Sequence, residues 1–227
     1  MHQNFQRRLV KTQDGSHTLK LVGLDEHYHS TFGAVQESMY VFIRNGLHSL
    51  PGKNEVVNIL EVGFGTGLNA LLTLIESQKR NLKVYYFTLE PFPLQREEYE
   101  ALNYSSLLPE RGLQERFLKL HECEWSKDIE LLPDFVLRKE KTGLEATSLP
   151  GYFFDLVYFD AFGPDTQPEL WTQPLFEKVS SAMKPGGIFT TYCAKGSVRR
   201  ALKASGLDVE KLSGPPGKRE MTRAVKM

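Results

Sequence analysis

An α/β fold with a mostly parallel sheet is predicted by three features of the sequence. Apolar strand-like runs alternate with helix-like periods through residues 56–206, the order that places helices on both faces of a parallel sheet. A glycine-rich turn joins the first of these runs to the first of these helices. Two short runs joined by Pro215-Pro216-Gly217 close the chain and are expected to add an antiparallel last strand.

The 227 residues suit one domain with a small appendage, large enough to bury a core without a disulfide or metal staple. We divide the chain into an N-terminal extension, 1–52, and a sheet domain, 53–227. Hydrophobic residues make up 41% and charged residues 25%, the balance of a soluble globular chain. No run approaches the ~18 apolar residues of a membrane span. The first twenty residues lack the apolar segment of a signal peptide, so a cytoplasmic location is expected. Cys123 and Cys193 have no paired spacing. They read as reduced thiols, and no metal site is expected.

Residues 7–12 and 17–22 flank Asp14-Gly15, a turn dipeptide, and read as a hairpin. Val35, Met39, Phe42 and Ile43 stand at helical spacing within 33–46, and Pro51-Gly52 ends the extension. VVNILEVGFG (56–65) reads as a buried first strand and GTGLNALLTLIESQKR (65–80) as its helix. KVYYFTLE (83–90) and PFPLQREEYEALN (91–103) repeat the pattern. RFLKLHE (116–122) reads as a third strand, followed by a weakly patterned stretch to about 148. FFDLVYFDAF (153–162) is the fourth strand, and residues 169–184 its helix. IFTTYC (188–193) is the fifth strand, and GSVRRALKASG (196–206) a helix closed by glycine. LDVEKLSG and REMTRAVKM form the closing pair.

Net charge is zero, but it is unevenly placed. Residues 1–20 carry +3, residues 195–227 carry +6, and the middle −9. Basic ends of this kind offer a phosphate-binding face on a neutral protein. They are also what solvated helix and strand surfaces present.

The sharpest chemical signal is Glu61-Val62-Gly63-Phe64-Gly65-Thr66-Gly67 at the strand-to-helix turn. Its spacing is G-x-G-x-G. The dinucleotide fingerprint needs a further glycine where Leu68 stands, and the phosphate-binding loop needs a lysine that is absent. Glu61 is expected to face a cationic amino group. Glu90 ends the second strand, where a carboxylate can accept both hydroxyls of a ribose. An amino-acid end, a ribose and no pyrophosphate describe S-adenosylmethionine. The alternative is an ordinary glycine turn with two surface acids.

Ligands of open α/β sheets sit beyond the carboxyl ends of the strands. Asp160 ends the fourth strand and is the candidate to hold a nucleophilic amine in line with a methyl group, by hydrogen bonding and charge rather than as a base. Phe162, Tyr158, Trp171 and Tyr192 lie near these strand ends and could stack a base, although aromatics at such positions commonly fill cores.

LEVGFGTGLNALL (60–72), FTLEPFPLQ (87–95), the stretch from Phe159 to Gly187, GSVRRALKASGLDVEKLSGPPGKREM (196–221) and HYHSTFGAVQESMYVFIRNGL (27–47) together resemble the methyltransferase part of the bifunctional tRNA 5-methylaminomethyl-2-thiouridine biosynthesis proteins. The likeness covers nearly all of the chain. It implies a class I S-adenosylmethionine-dependent methyltransferase: a Rossmann-like, mostly parallel sheet with an antiparallel last strand and a small N-terminal hairpin and helix. The implied reaction is N-methylation of an aminomethyl group on the wobble uridine of tRNA. Glu61, Gly63, Gly65, Gly67 and Glu90 match the family's cofactor positions, and Asp160 matches its active-site acid. The bifunctional proteins continue into an FAD-dependent oxidase. This chain stops at Met227, so only the methyl step is expected of it. The family's Gly-Asp pair after the third strand, which helps to hold adenine, is replaced by His121-Glu122-Cys123, and Glu122 is the stand-in chosen. Arg199, Arg200, Lys218 and Arg219 are expected to contact tRNA phosphates, and Phe162 and Trp171 the substrate. Two rival readings are an aminopropyltransferase of the polyamine-synthase type and a non-catalytic RNA-binding module with a nucleoside pocket.

Overall fold

The computed structural model describes residues 6–24, 26–52 and 56–227. The expected boundary at 52/53 abuts residues 53–55, which lie outside the described residues.

The chain opens with β1 (Arg7–Lys11) and β2 (His17–Leu21), an antiparallel hairpin pairing Arg7 with Leu21 and Lys11 with His17. A helix follows, α1 (Ala34–Ser38), running into a wider π-turn over Met39–Arg44. The sheet domain then runs β3 (Val57–Val62), α2 (Leu68–Arg80), β4 (Val84–Leu89), α3 (Arg96–Glu100), α4 (Tyr104–Leu107), α5 (Leu113–Glu122), β5 (Asp128–Leu132), β6 (Phe135–Glu140), β7 (Phe154–Phe159), α6 (Gln173–Ala182), β8 (Met183–Thr191), α7 (Gly196–Ala204), β9 (Leu207–Ser213) and β10 (Glu220–Lys226). Eight strands form one sheet in the order β5-β6-β4-β3-β7-β8-β10-β9. The inner pairs from β6 to β8 are parallel, and β10 lies antiparallel between β8 and β9. This is the expected α/β class, with its antiparallel closing pair and N-terminal hairpin and helix.

The third strand of the sequence reading is corrected. Residues 116–122 lie within α5. Leu113, Phe117 and Leu120 fall on one helical stripe and are all buried. The local alternation of Leu118 and Leu120 around Lys119 imitates a strand over too short a run to matter. The third parallel strand is β6, drawn from the weakly patterned stretch, and β5 adds a second antiparallel edge against it. What hid β6 is Lys139, fully buried at an inward position of the strand. Its ammonium donates to the carbonyls of Leu120 and His121 (2.8 and 2.6 Å) and closes the C-terminal end of α5.

Two apolar layers flank the sheet. One gathers Ile59, Tyr86 and Tyr158 with α2, α5 and the N-terminal Leu19, Val41 and Phe42. The other gathers Leu60, Val157 and Phe159 with α6 and α7. The N-terminal segment shares the first core. Arg7 ties it to the sheet domain by donating to Glu98 (3.0 Å) and to the Phe92 carbonyl (2.9 Å). At the other end, the tip between β9 and β10 reaches back over the strand ends. Gly217 there has φ +82°, and a Cβ on it would fall 2.1 Å from the Phe32 ring.

Candidate active site

The parallel strands converge on a cavity of about 810 Å³ at their carboxyl ends. Its floor is the turn after β3. Gly63 and Gly65 are on the wall with positive φ, 96° and 50°. Gly63 is required by its neighbour: a Cβ there would stand 2.6 Å from the Asp160 carbonyl. Gly67 caps α2 in the left-handed region, φ 72°, where a Cβ would meet His121 at 2.9 Å. It shapes the turn from behind and is not on the wall.

Glu90 follows β4 on the cavity wall and is buried. Its carboxylate accepts from the amides of Gly65 (2.9 Å) and Phe92 (2.8 Å), so it staples the glycine turn to the end of β4. Burial pushes its pKa up, and those two amides pull it back. Two N–H donors leave lone pairs on both oxygens for a diol ligand.

Asp160 stands beyond β7 on the same wall, and its amide donates to the Val62 carbonyl (2.9 Å). Its carboxyl accepts from Asn69 Nδ2 (2.8 Å). Burial raises its pKa to about 7, against the opposing pull of that bond. The sequence reading discounted Asp160 as a base because an ordinary carboxylate is too weak. Burial narrows that gap. The loop that follows is pinned three ways: Tyr192 Oη donates to the Ala161 carbonyl (2.9 Å), Trp171 Nε1 to the Phe162 carbonyl (2.8 Å), and the Phe162 amide to Gln167 (3.1 Å).

The N-terminal segment supplies a whole wall that sequence reasoning did not assign. Tyr28 packs edge-on to Phe162 at 5.0 Å between ring centres, and its hydroxyl accepts from Arg7 Nε (2.7 Å). His29 Nε2 is hydrogen-bonded to Thr66 Oγ1 (2.7 Å), and burial depresses its pKa to about 4, which keeps it neutral. Gly143, Leu144 and Glu145, in the loop after β6, close the side near Glu90. Placing the third strand at 116–122 concealed them.

Several expected site residues stand elsewhere. Glu61 is fully buried beneath the glycine turn, on the α2 side of β3, and does not reach the wall. Glu122 ends α5 on the surface, where its carboxylate pairs with Arg96 (3.2 Å). Trp171 is buried among Phe159 and Phe176 and supports Phe162 from behind. Tyr158 lies wholly in the core, while Phe162 and Tyr192 reach the cavity. Arg199 is buried. It donates to Thr222 Oγ1 (3.0 Å), Glu220 (2.6 Å) and the Met221 carbonyl (3.0 Å), fastening α7 to β10. Lys218 points into the cavity. It pairs with the buried Glu37 (2.7 Å) and lies 3.9 Å from the centre of the Tyr192 ring. Arg200 and Arg219 are exposed. Arg199→Ala is therefore expected to lower stability by about 1–3 kcal/mol by leaving the Met221 carbonyl unsatisfied, read as a lower denaturant midpoint at constant m-value.

Among the described residues of the wall, the acids are Glu26, Glu37, Glu90, Glu145, Asp160 and Glu169, and the cation is Lys218. A cavity of this sign favours cationic ligands and repels phosphates. Among the described residues, no helix is long and apolar enough to cross a membrane, and no group of three His, Cys, Asp or Glu is placed to hold a metal ion.

Residues 127–227 match the family model described as S-adenosyl-L-methionine-dependent methyltransferase. The chain is 33% identical over 224 residues to the tRNA 5-methylaminomethyl-2-thiouridine biosynthesis bifunctional protein MnmC of Idiomarina loihiensis, with 87% of this chain and 35% of that protein covered. It is 31% identical to the protein of the same name from Aromatoleum aromaticum, covering 95% of this chain and 35% of that one. The chain thus spans about a third of the length of the curated relatives it matches. The crystal structure of MNMC2 from Aquifex aeolicus matches with a TM-score of 0.77 at 28% identity, covering 98% of this chain and 71% of that one. Spermidine synthase from Thermotoga maritima, with a TM-score of 0.58 at 15% identity over 99% of this chain and 70% of that one, shares the fold.

Proposed function

We propose that this chain, which is similar to the S-adenosyl-L-methionine-dependent methyltransferases and to the tRNA 5-methylaminomethyl-2-thiouridine biosynthesis proteins, is one of them and methylates the primary amine of a 5-aminomethyl group on wobble (2-thio)uridine in tRNA. The observation that carries this reading is the pair of carboxylates on one cavity wall: Glu90, aimed by two backbone amides, and Asp160, half-buried and held by Asn69.

The residues suit the cofactor. Glu90 holds the ribose, the backbone of Gly63 to Gly65 admits the ligand closely, and Leu144 packs beside the base. S-adenosylmethionine supplies an electrophilic methyl group. Asp160 accepts an N–H of the substrate amine and takes the proton that the nitrogen must shed. Phe162 and Tyr192 hold the uracil ring between them. Lys218, steadied by Glu37, donates to an oxygen of that ring. The acidic wall admits the cationic aminomethyl base and keeps the phosphates outside. Those phosphates meet Arg200 in the middle of α7 and Arg219 beside Lys218, on a protein that works in the cytosol. Residues 1–52 serve as an extension of the domain 53–227.

The direct test supplies labelled donor and tRNA carrying the 5-aminomethyl nucleoside. Nucleoside mass spectrometry should find the 5-methylaminomethyl product, and cells lacking the protein should accumulate the unmethylated amine. Arg200→Glu with Arg219→Glu should weaken tRNA binding by at least tenfold at low salt and flatten the log–log salt slope by about one unit per lost contact. Affinity for the donor should hold. Unchanged tRNA binding would remove these arginines from the interface.

The acidic wall also favours a second reading, aminopropyl transfer to a small polyamine. Turnover of decarboxylated donor with putrescine, and none with tRNA, would select it.

A further inference from the structure

Phe32 is an aromatic at the mouth of the cavity that the proposed reaction does not use. It is 43% exposed and stands on the cavity wall, where Phe162 and Tyr192 are half-buried. Single exposed apolar side chains are ordinary and mean nothing by themselves. This one is held in place. The Phe32 amide donates to Ser30 Oγ (3.2 Å), the Gln13 amide donates to the Thr31 carbonyl (2.9 Å), and the Ser30 amide donates to the buried Glu37 carboxylate (2.7 Å). The backbone that presents the ring is therefore tied both to the N-terminal hairpin and to α1.

A second support comes from the other end of the chain. The tip between β9 and β10 is closed by the Lys218 amide, which donates to the Pro215 carbonyl (2.9 Å). Gly217 in this tip lies against the ring: a Cβ there would stand 2.1 Å from Phe32 Cδ2, and its φ of +82° also calls for glycine. The next residue, Lys218, is anchored on Glu37 (2.7 Å), and the one after it, Arg219, is exposed. A residue without a side chain is thus needed to seat the tip against a ring that stays open to solvent, with an exposed guanidinium two residues along.

A base that reaches Asp160 must leave its stack. Its neighbours in the RNA then lose a stacking partner and bare a face at the cavity mouth. An aromatic ring with an arginine nearby is what unpaired bases and their phosphates bind. Resting on the tRNA substrate proposed above, we propose that Phe32 is a stacking platform for a nucleotide next to the methylated uridine, and that the glycine tip holds this ring and Arg219 to one stretch of RNA. The platform meets the π-face of a base and forms no hydrogen bonds with it, so it accepts any flanking base. A free nucleoside or a polyamine leaves it empty.

The test uses an RNA stem-loop that carries the 5-aminomethyl nucleoside, with 5-iodouridine placed on one side of it or the other. Irradiation should cross-link one of the two flanking positions to Phe32, located by mass spectrometry of the digested protein. Phe32→Leu keeps bulk against Gly217 but has no π-face. It should weaken stem-loop binding by about tenfold and leave the log–log salt slope unchanged, because no phosphate contact is lost. Phe32→Trp should bind within about threefold of wild type. Free 5-aminomethyluridine has no flanking base, so its affinity, read by NMR titration, should not fall in Phe32→Leu. Stem-loop binding by Phe32→Leu within about twofold of wild type overturns the proposal. So does an equal loss on the free nucleoside, which would make Phe32 part of the pocket for the methylated base itself. A stem-loop that wild type neither binds nor methylates defeats the proposed function. One that wild type methylates, while Phe32→Leu holds it as tightly, defeats the platform alone.

Discussion

Asp160→Ala is expected to lower kcat for methyl transfer by roughly 10²–10⁴ while changing the dissociation constant of S-adenosylmethionine by less than about threefold. The size follows from what the side chain does. An alkylammonium does not attack an electrophile, so the nitrogen must lose a proton and point its lone pair along the methyl–sulfur axis. Asp160 serves both needs. Its loop is pinned by Tyr192, Trp171 and Gln167, and its pKa of about 7 matches it to neutral pH better than an ordinary carboxylate. The sign of the pH dependence is fixed by that value. Below about 7 the carboxyl of the unliganded protein is protonated and cannot take a further proton, so kcat/KM rises as pH climbs through this range. Asp160→Asn keeps an acceptor oxygen and should lose this acid limb along with most of the rate. A kcat within fivefold of wild type in Asp160→Ala would remove Asp160 from the chemistry. Stopped-flow binding and single-turnover methyl transfer separate the two parameters.

The second large effect concerns Glu90→Ala, which should weaken S-adenosylmethionine binding about 100-fold. Two losses combine. The diol of the ribose loses a charged acceptor, worth about 1.5–3 kcal/mol per bond. The amides of Gly65 and Phe92 lose theirs, and the glycine turn comes away from the end of β4. A net loss of about 3 kcal/mol corresponds to roughly 100-fold in Kd. Glu90→Gln is informative because an amide nitrogen cannot accept from a backbone N–H, so it should fall between wild type and alanine. Calorimetric titration with intact folding would settle the matter: full affinity in Glu90→Ala would leave Glu90 a staple of the loop and nothing more.

Much of this fold was legible because its strands carry long apolar runs. VNILEV (Val57–Val62), with Asn58 its one half-buried residue, and FDLVYF (Phe154–Phe159) are buried on both faces and need no alternation to be recognised. The glycine turn, Glu90 and Asp160 were legible for a related reason: parallel strands deliver their carboxyl ends to one place. The third strand was not. Its inward lysine is satisfied by helix carbonyls distant in sequence, and no local pattern encodes that. The same holds for Arg199 and Lys218. Both belong to a basic run, yet one is consumed by β10 and the other turns into the cavity toward Glu37. Charge counts locate basic residues along the chain and say nothing about which acids fold back to meet them. Tyr28, His29 and Phe32 escaped assignment as wall residues because a wall built from the chain's beginning is a tertiary fact.

The meeting of Gly217 with Phe32, and of Lys218 with Glu37, has a consequence for biogenesis. The donor chamber is sealed by segments that leave the ribosome almost two hundred residues apart. A nascent chain of 200 residues already holds β3 to β8 and yet has an open trough. Capacity to retain the donor should therefore emerge late and abruptly during translation, with no gradual gain from one added helix to the next.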